Sequence, residues 1–444
     1  MARRARGVAT IERIDRRRGH IKHPSTDRPD AGENALLIGV ASGRHGRTRT
    51  EASMEELGEL ARSAGASVVG SVIQERERKD PATLIGRGKA EEVARLADQS
   101  RADVLLFDDE LSPAQQRNLE GLARRKTIDR TQLILDIFAR RARTREGRLQ
   151  VELAQLDYML PRLAGKGVML SRLGGGIGTR GPGETKLETD RRRIRQRIQS
   201  VKREIERVRR NRHTRREARQ RADAPVVALV GYTNAGKSTL FSTLTRTETA
   251  ISDQLFMTLD PLTRKASLGG ARQVLIVDTV GFIQKLPHGL VDAFRATLEE
   301  VREADLLVHV IDASAEDLEE REAAVEAVLR EIGAGDAPRI TALNKADKVP
   351  RERTAALQAA RPGSVVVSAR TGAGVEELKA ALAARLQLAP RSVRLRFAAR
   401  DVRAIARVYT AGRVVSHEVD GDEVHIQAEL PQRLIERYRE HLIG

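Results

Sequence analysis

Nine consecutive residues, Gly231-Tyr232-Thr233-Asn234-Ala235-Gly236-Lys237-Ser238-Thr239, carry the densest chemical signal in the chain. They fit the spacing G-x-x-x-x-G-K-[ST] and follow directly on the apolar run Val226–Val230, so a buried strand leads into the loop and a helix follows it. Glycines at Gly231 and Gly236 let a loop close around phosphates, with backbone N–H groups pointing inward at the start of that helix. Lys237 is then suited to bridging β- and γ-phosphates, and the Ser238 hydroxyl to ligating Mg²⁺.

Three further motifs follow in order. Asp278-Thr279-Val280-Gly281 ends the apolar run Val274–Val277. A carboxylate at a strand end can hold Mg²⁺ through water, and Gly281 leaves an N–H free for a γ-phosphate. Asn344-Lys345-Ala346-Asp347 follows Ile340–Leu343. Asp347 can accept from the ring N–H and the exocyclic amine of guanine, donors that adenine does not offer there, and the Lys345 stem can cover the base. Ser368-Ala369 fits a loop whose backbone N–H meets the guanine oxygen. Each motif alone is weak; four in this order indicate a guanine-nucleotide site with hydrolytic chemistry.

The stretch Phe256-Met257-Thr258-Leu259-Asp260-Pro261-Leu262-Thr263-Arg264 should supply a second hydroxyl to the metal. Thr258 is the expected donor and Thr263 the alternative. Phe282 stands where many GTPases place a water-orienting glutamine, so the catalytic residue is left open and hydrolysis is expected to be slow without a partner. Gln284 and the backbone around Thr258 are candidates for placing the water. Asn234 is a candidate for holding K⁺ beside the phosphates, against a plain loop-stabilising hydrogen bond.

Other elements must carry this site. Residues 33–128 alternate strand-like runs (Ala35–Ala41, Ser67–Ile73, Val104–Phe107) with helical patterns (Met54–Ala64, Ala90–Ala97, Pro113–Ala123), which predicts a small parallel α/β unit. From Thr131 the period changes. Ala139, Ala142, Leu149, Leu153, Leu156 and Leu160 form one stripe, interrupted by Glu146 and ended by Pro161; Ile194, Ile198, Val201, Ile205 and Val208 form another. Two such helices predict an antiparallel hairpin over 129–222.

Between Arg191 and Arg221 stand fifteen Lys and Arg against three Glu, a net +12 out of the chain's formal +17. So much like charge on one helix favours a phosphate-rich partner over a merely solvated face. The loop joining the two helices carries eight glycines between Gly165 and Gly183, with Lys166, Arg172, Arg180 and Lys186. With Arg191, Arg192 and Arg193 these are the candidate RNA contacts. Gly86-Arg87-Gly88-Lys89 could form a second anion site, with a tight turn as the plainer reading.

Residues 223–388 are expected to form the P-loop domain, and 389–444 a small α+β domain: strand Val393–Phe397, helix Asp401–Tyr409, a hairpin turning at Asp420-Gly421, and a last helix Pro431–Leu442. Residues 1–32 read as a disordered basic arm without a secretory signal. Cysteine is absent, which excludes disulfides and thiolate metal sites and suits a reducing compartment. No apolar run approaches a membrane span. A cytoplasmic monomer is expected, with association to ribosomes or a membrane surface left open.

The segments Thr83–Val93, Phe107–Glu120, Asp129–Leu163 and Gly174–Arg192, together with the four motifs, closely resemble the HflX GTPases from about residue 35 to 388. That resemblance implies a two-part N-terminal domain, a Ras-like GTPase domain and binding to the large ribosomal subunit and its RNA. It also implies a hairpin loop reaching toward the peptidyl-transferase region, and a GTP form that separates or rescues stalled ribosomes under stress. The family's GTPases lack the glutamine, as Phe282 does here. A ribosome-assembly or tRNA-modification GTPase, or a signalling switch with protein partners, are the alternatives.

Overall fold

The computed structural model describes residues 32–43, 46–163, 182–220, 224–247, 255–256, 261–269, 272–285 and 295–443. The basic arm to residue 31, Lys166, Arg172, Arg180 and Thr258 lie outside the described residues.

Strands β1 (Asn34–Ala41), β2 (Ser67–Glu75), β3 (Val104–Phe107) and β4 (Lys126–Asp129) form a parallel sheet in the order β2-β1-β3-β4. Alternate residues of β1 enter two different cores. Ala35 and Leu37 pack with Leu57 and Leu60 of helix α1 (Gly46–Ser63). Leu36 and Ile38 pack with Val93 of α2 (Arg87–Gln99) and Leu119 of α3 (Pro113–Ala123). Helix α1 begins at Gly46, well before the expected Met54, and β4 was not anticipated because Lys-Thr-Ile-Asp has a single aliphatic residue. Helix α3 starts where expected, on a capping box in which Ser112 and Gln115 satisfy each other's backbone N–H.

The hairpin differs from expectation at both ends. Helix α4 (Arg130–Arg141) buries Leu133, Ile134, Ile137 and Phe138 in the N-terminal core, and Ala139 is exposed. The chain leaves the helix at Ala142, and the first arm of the hairpin is α5 (Arg145–Leu163). Pro161 lies inside α5 rather than ending it, and Glu146, the polar interruption of the apolar stripe, is buried and accepts from Gln150 (3.5 Å). The second arm, α6 (Pro182–Gln220), has 39 residues and spans roughly 58 Å; its start takes Lys186 out of the loop. Leu149, Leu156, Ile198 and Val201 make the seam, flanked by Leu153, Leu160, Ile194, Ile205 and Val208, as the two stripes require. Arg145 to Glu204 (3.2 Å) and Arg197 to Glu152 (2.6 and 2.9 Å) fix the antiparallel register.

The next sheet runs β10-β9-β8-β5-β7-β6. Its strands are β5 (Val226–Val230), β6 (Leu262–Ser267), β7 (Gln273–Asp278), β8 (Leu306–Asp312), β9 (Arg339–Asn344) and β10 (Val365–Val366). All pairings are parallel except β6 on β7. Helix α7 (Lys237–Thr245) follows the phosphate loop, and α9 (Leu318–Glu331) packs beside β8 after the intervening α8 (Arg295–Arg302).

The last unit is an antiparallel sheet, β11 (Pro390–Ala398), β13 (Glu423–Pro431) and β12 (Arg413–Asp420), turning at Gly421 with φ 58°. The expected final helix is two short pieces, Gln432–Ile435 and the 3₁₀ turn Glu436–His441, broken at Tyr438. The Tyr438 ring stacks edge-on to Phe397 at 6.4 Å, and that packing takes precedence over a straight helix.

The N-terminal and P-loop cores are continuous. Phe138 of α4 meets Phe256 edge-to-face at 4.6 Å, and Leu255 N–H donates to Ser63 Oγ (3.2 Å).

Candidate guanine-nucleotide site

The Gly231–Thr239 loop leaves the C-terminal end of β5 and enters α7, the position where parallel α/β sheets present ligands. Two glycines are needed on geometric grounds. Gly231 has φ 150°, and a Cβ there would lie 2.3 Å from the Val310 carbonyl oxygen. Gly236 has φ 91°, and its Cβ would strike Asn344 Nδ2. Asn234 is exposed in the left-handed region with φ 58°.

Lys237 is buried, and its Nζ donates to the carbonyls of Gly231 (3.0 Å) and Tyr232 (2.7 Å). Burial lowers its pKa to about 8, with Asp278 pulling the other way and Lys345 reinforcing the drop. Ser238 Oγ donates to Asp278 (2.7 Å), which sits fully buried at the end of β7. A hydroxyl and a carboxylate meeting at the loop are the oxygen donors that Mg²⁺ takes. The Thr279 hydroxyl is turned away onto Leu229 O (2.6 Å). Thr263 lies in β6 opposite Val277, an ordinary strand position.

The Asn344–Asp347 segment adjoins the same loop. Buried Asn344 donates from Nδ2 to Ala235 O (2.8 Å) and accepts on Oδ1 from Ala369 N–H (2.9 Å), tying three loops together. Of the Ser368-Ala369 loop, expected to offer a backbone N–H to the guanine oxygen, the Ala369 N–H is engaged with Asn344. Lys345 adopts φ 61°, and its Nζ pairs with Asp312 (2.8 Å) at the end of β8. Burial raises the Asp312 pKa, but hydrogen bonds from Lys345 and Ser314 outweigh it and hold the carboxylate ionised. Asp347 is exposed, and Ser368 Oγ donates to it (2.7 Å), lowering its pKa.

Phe282 is buried against the phosphate loop. Thr233 N–H donates to Phe282 O (2.7 Å) and Phe282 N–H to Gly231 O (3.1 Å). An apolar ring in this place has no group with which to orient water.

Glu56, Asp108, Asp109, Arg130 and Lys285 at this rim were not anticipated, whereas their neighbours Tyr232 and Gln284 were. Tyr232 Oη donates to Glu56 of α1 and accepts from Gln284 N–H (2.9 Å). Glu56 accepts from Arg130 Nη1 (2.7 Å), and Arg130 also donates to Asp108 (3.0 Å) and, more weakly, to Gln284 O (3.4 Å). Lys285 pairs with Asp108 and with Asp109 (3.2 Å). Arg130 and Asp108 are 2% and 1% exposed. Burial opposes the charge on each, and the other's charge overcomes it: Asp108 is held below the usual carboxylate range and Arg130 above its own value. The position of Asp108 at the C-terminal end of β3 was the available signal.

Beside this network Asp129 caps α4 through Gln132 N–H (2.8 Å) and accepts from Tyr158 Oη (2.9 Å) and Arg162 (3.2 Å) near the end of α5. Gly86-Arg87-Gly88-Lys89 is neither a tight turn nor a separate loop: Gly86 is the N-cap of α2, and Arg87, Gly88 and Lys89 are its first turn. Arg87 pairs with Glu91 (3.4 Å) and Lys89 with Glu92 (2.7 Å).

Comparison with known proteins gives a consistent result. Residues 51–139 match the family model "GTP-binding GTPase N-terminal", 141–219 "GTP-binding GTPase Middle Region", and 226–345 "50S ribosome-binding GTPase". The GTPase HflX of Caldanaerobacter subterraneus subsp. tengcongensis is 44% identical over 93% of this chain and 94% of its own. The GTPase HflX of Escherichia coli K12 is 44% identical over 91% and 95%. The chain belongs to the HflX family of GTPases. Among solved structures, the complex of SsGBP with GDP is 26% identical, covering 79% of this HflX-family chain and 97% of that one, at a TM-score of 0.46. Its membership of that family, with the matching GTPase model over 226–345, makes GTP binding and hydrolysis to GDP and phosphate its activity.

Proposed function

We propose that this HflX-family GTPase binds the large ribosomal subunit through its basic hairpin and, in the GTP form, splits or rescues stalled ribosomes under stress. The observation that carries the reading is a two-helix arm whose second helix bears fourteen Lys and Arg against three Glu between Arg191 and Gln220, a net +11, and extends from the unit next to the nucleotide site. Exposed Arg192 and Arg193 lie on its loop-proximal half, and Lys186 precedes them. Rigid presentation of charge on a helix suits a folded RNA surface.

In this reading Gly231–Thr239 cradle the phosphates, with Lys237 leaving the two carbonyls for the β- and γ-phosphates. Gly281 N–H meets the γ-phosphate. Asn344 braces the loop, the Lys345 stem covers the base, and Asp347, steadied by Ser368, reads guanine; Ser368-Ala369 close the base pocket. Mg²⁺, which GTPases of this kind generally use, would be held by Ser238, by Asp278 through water, and by Thr258. When bound it supplies charge neutralisation at the phosphates. Asn234 would hold K⁺, a role that its exposed side chain and left-handed backbone support. Phe282 leaves water placement to the ribosome or to Gln284, so hydrolysis alone is slow. Residues 33–128, 129–222, 223–388 and 389–444 then act as four working units of a cytoplasmic monomer.

Sedimentation of ribosomes with the protein and GTP, GDP or a non-hydrolysable GTP analogue tests this directly. Co-sedimentation with the large subunit, and a rise in free subunits, should need GTP or the analogue. Equal binding in all three states, or a GTPase rate indifferent to ribosomes, would reject it.

A further inference from the structure

Gly281 and Phe282 lie directly on the phosphate loop, held by the two backbone bonds to Thr233 and Gly231. A Cβ added to Gly281 would come within 3.0 Å of Lys237 Nζ and 2.8 Å of Thr233 Cα. A γ-phosphate that engages both Lys237 and the Gly281 N–H needs the space between these groups. Its entry must lift residues 281–282 and break that pair of backbone bonds.

The lift cannot stop at Phe282. Two residues on, the backbone of Gln284 is bonded to Tyr232 and Arg130, and the Lys285 ammonium to Asp108 and Asp109. Arg130, Glu56 and Asp108 are fixed among themselves and belong to the N-terminal unit. The chain ahead of Thr258 is anchored there too: Leu255 bonds to Ser63 and Phe256 packs on Phe138. Both segments flanking the phosphates are therefore tethered to one separate unit.

We propose that Glu56, Asp108 and Arg130 are positioning residues for the GTPase reaction, which through Tyr232, Gln284 and Lys285 hold the segment after Asp278 on the phosphate loop and so set the preference between GTP and GDP. The proposal rests on reading Gly231–Thr239 as the phosphate site. GDP lacks the group that competes with Gly281, and it leaves the clamp intact. GTP must spend part of its binding energy opening the clamp. Linkage makes the relation reciprocal: whatever draws the N-terminal unit off Lys285 and Tyr232 favours GTP, and the γ-phosphate loosens that unit.

The test compares affinities of the full chain for GDP and for a non-hydrolysable GTP analogue, using fluorescent nucleotides with Mg²⁺ present. Lys285 is half-exposed, so Lys285→Ala removes one tether without opening the core, and Glu56→Gln weakens another isosterically. Each should shift the affinity ratio toward the analogue by about fivefold to tenfold, at the lower end of the usual range of such couplings. Lys285→Arg, which keeps the ion pair, should retain the wild-type ratio. An unchanged ratio in Lys285→Ala, or equal changes for both nucleotides as a merely structural residue would give, overturns the clamp. A wild-type chain that binds neither nucleotide overturns the phosphate-site reading itself.

Discussion

Lys237 donates to two carbonyls inside a desolvated loop, with the Asp278 charge acting on it. Burial brings its pKa down to about 8, while bound phosphate stabilises the charged form and raises it. Above pH 8 nucleotide binding must therefore take up a proton at Lys237, and affinity should fall as pH rises toward 10. Calorimetry at pH 9 in buffers of different ionisation heat should report uptake of up to one proton for wild type, reduced in Lys237→Ala. Heats independent of buffer would contradict this. The sign for stability is opposite: between pH 8 and 10.5 the unfolded chain holds more protons at this residue, so the free protein gains stability with rising pH. The sequence located Lys237 because four motifs fix one another's roles. It did not locate Asp312, whose pairing with Lys345 depends on β8 and β9 being neighbours, a fact of topology that no local pattern carries.

The hairpin was legible because its two stripes keep helical spacing over several turns, and a seam of aliphatic side chains has few other ways to be buried. Where it begins was not. Ala139 and Ala142 continue the numerical pattern, yet Leu133, Ile134, Ile137 and Phe138 commit the preceding turns to a different core. Short elements failed for the complementary reason: β4 is held by its pairing with β3 and shows no periodicity of its own. At this scale charge makes a prediction. Arg197 is bonded to Glu152 across the seam and is structural, whereas Arg192 and Arg193 face solvent. Replacing Arg191, Arg192 and Arg193 together by Ser should lower the salt-dependence slope of RNA binding by roughly 2 to 3, each phosphate contact contributing about 0.7 to 0.9. Replacing Arg197 should cost hairpin stability instead. A triple variant with an undiminished slope would remove these arginines from the RNA contact.

Taken whole, the molecule is not a string of independent units. Phe138 on Phe256, Ser63 on Leu255 and the Arg130 network join the N-terminal unit to the P-loop unit across a continuous core. Phe138→Ala removes a ring that is fully buried and should destabilise the pair by about 3 to 5 kcal/mol. Denaturant unfolding monitored by circular dichroism should show both units shifting together, with bound GDP raising the midpoint of each. A variant in which nucleotide protection of the P-loop unit is untouched would mean that the contact carries no coupling. None of these joints was visible in the sequence, since residues 56, 108, 130 and 285 acquire their meaning only when separate sheets are docked.

Asp129 and Arg130 are covalent neighbours with different duties. The first carries Tyr158 and Arg162, near the point where α5 gives way to the glycine-rich stretch, and the second braces the rim of the nucleotide site. Successive α-carbons stay about 3.8 Å apart whatever the fold does. A shift of the Arg130 backbone by even an ångström would therefore be felt at the anchorage of the arm beside it, which Val151 and Ala154 of α5 also fasten to the same core. A chemical event and a mechanical lever here share one peptide bond as their fulcrum.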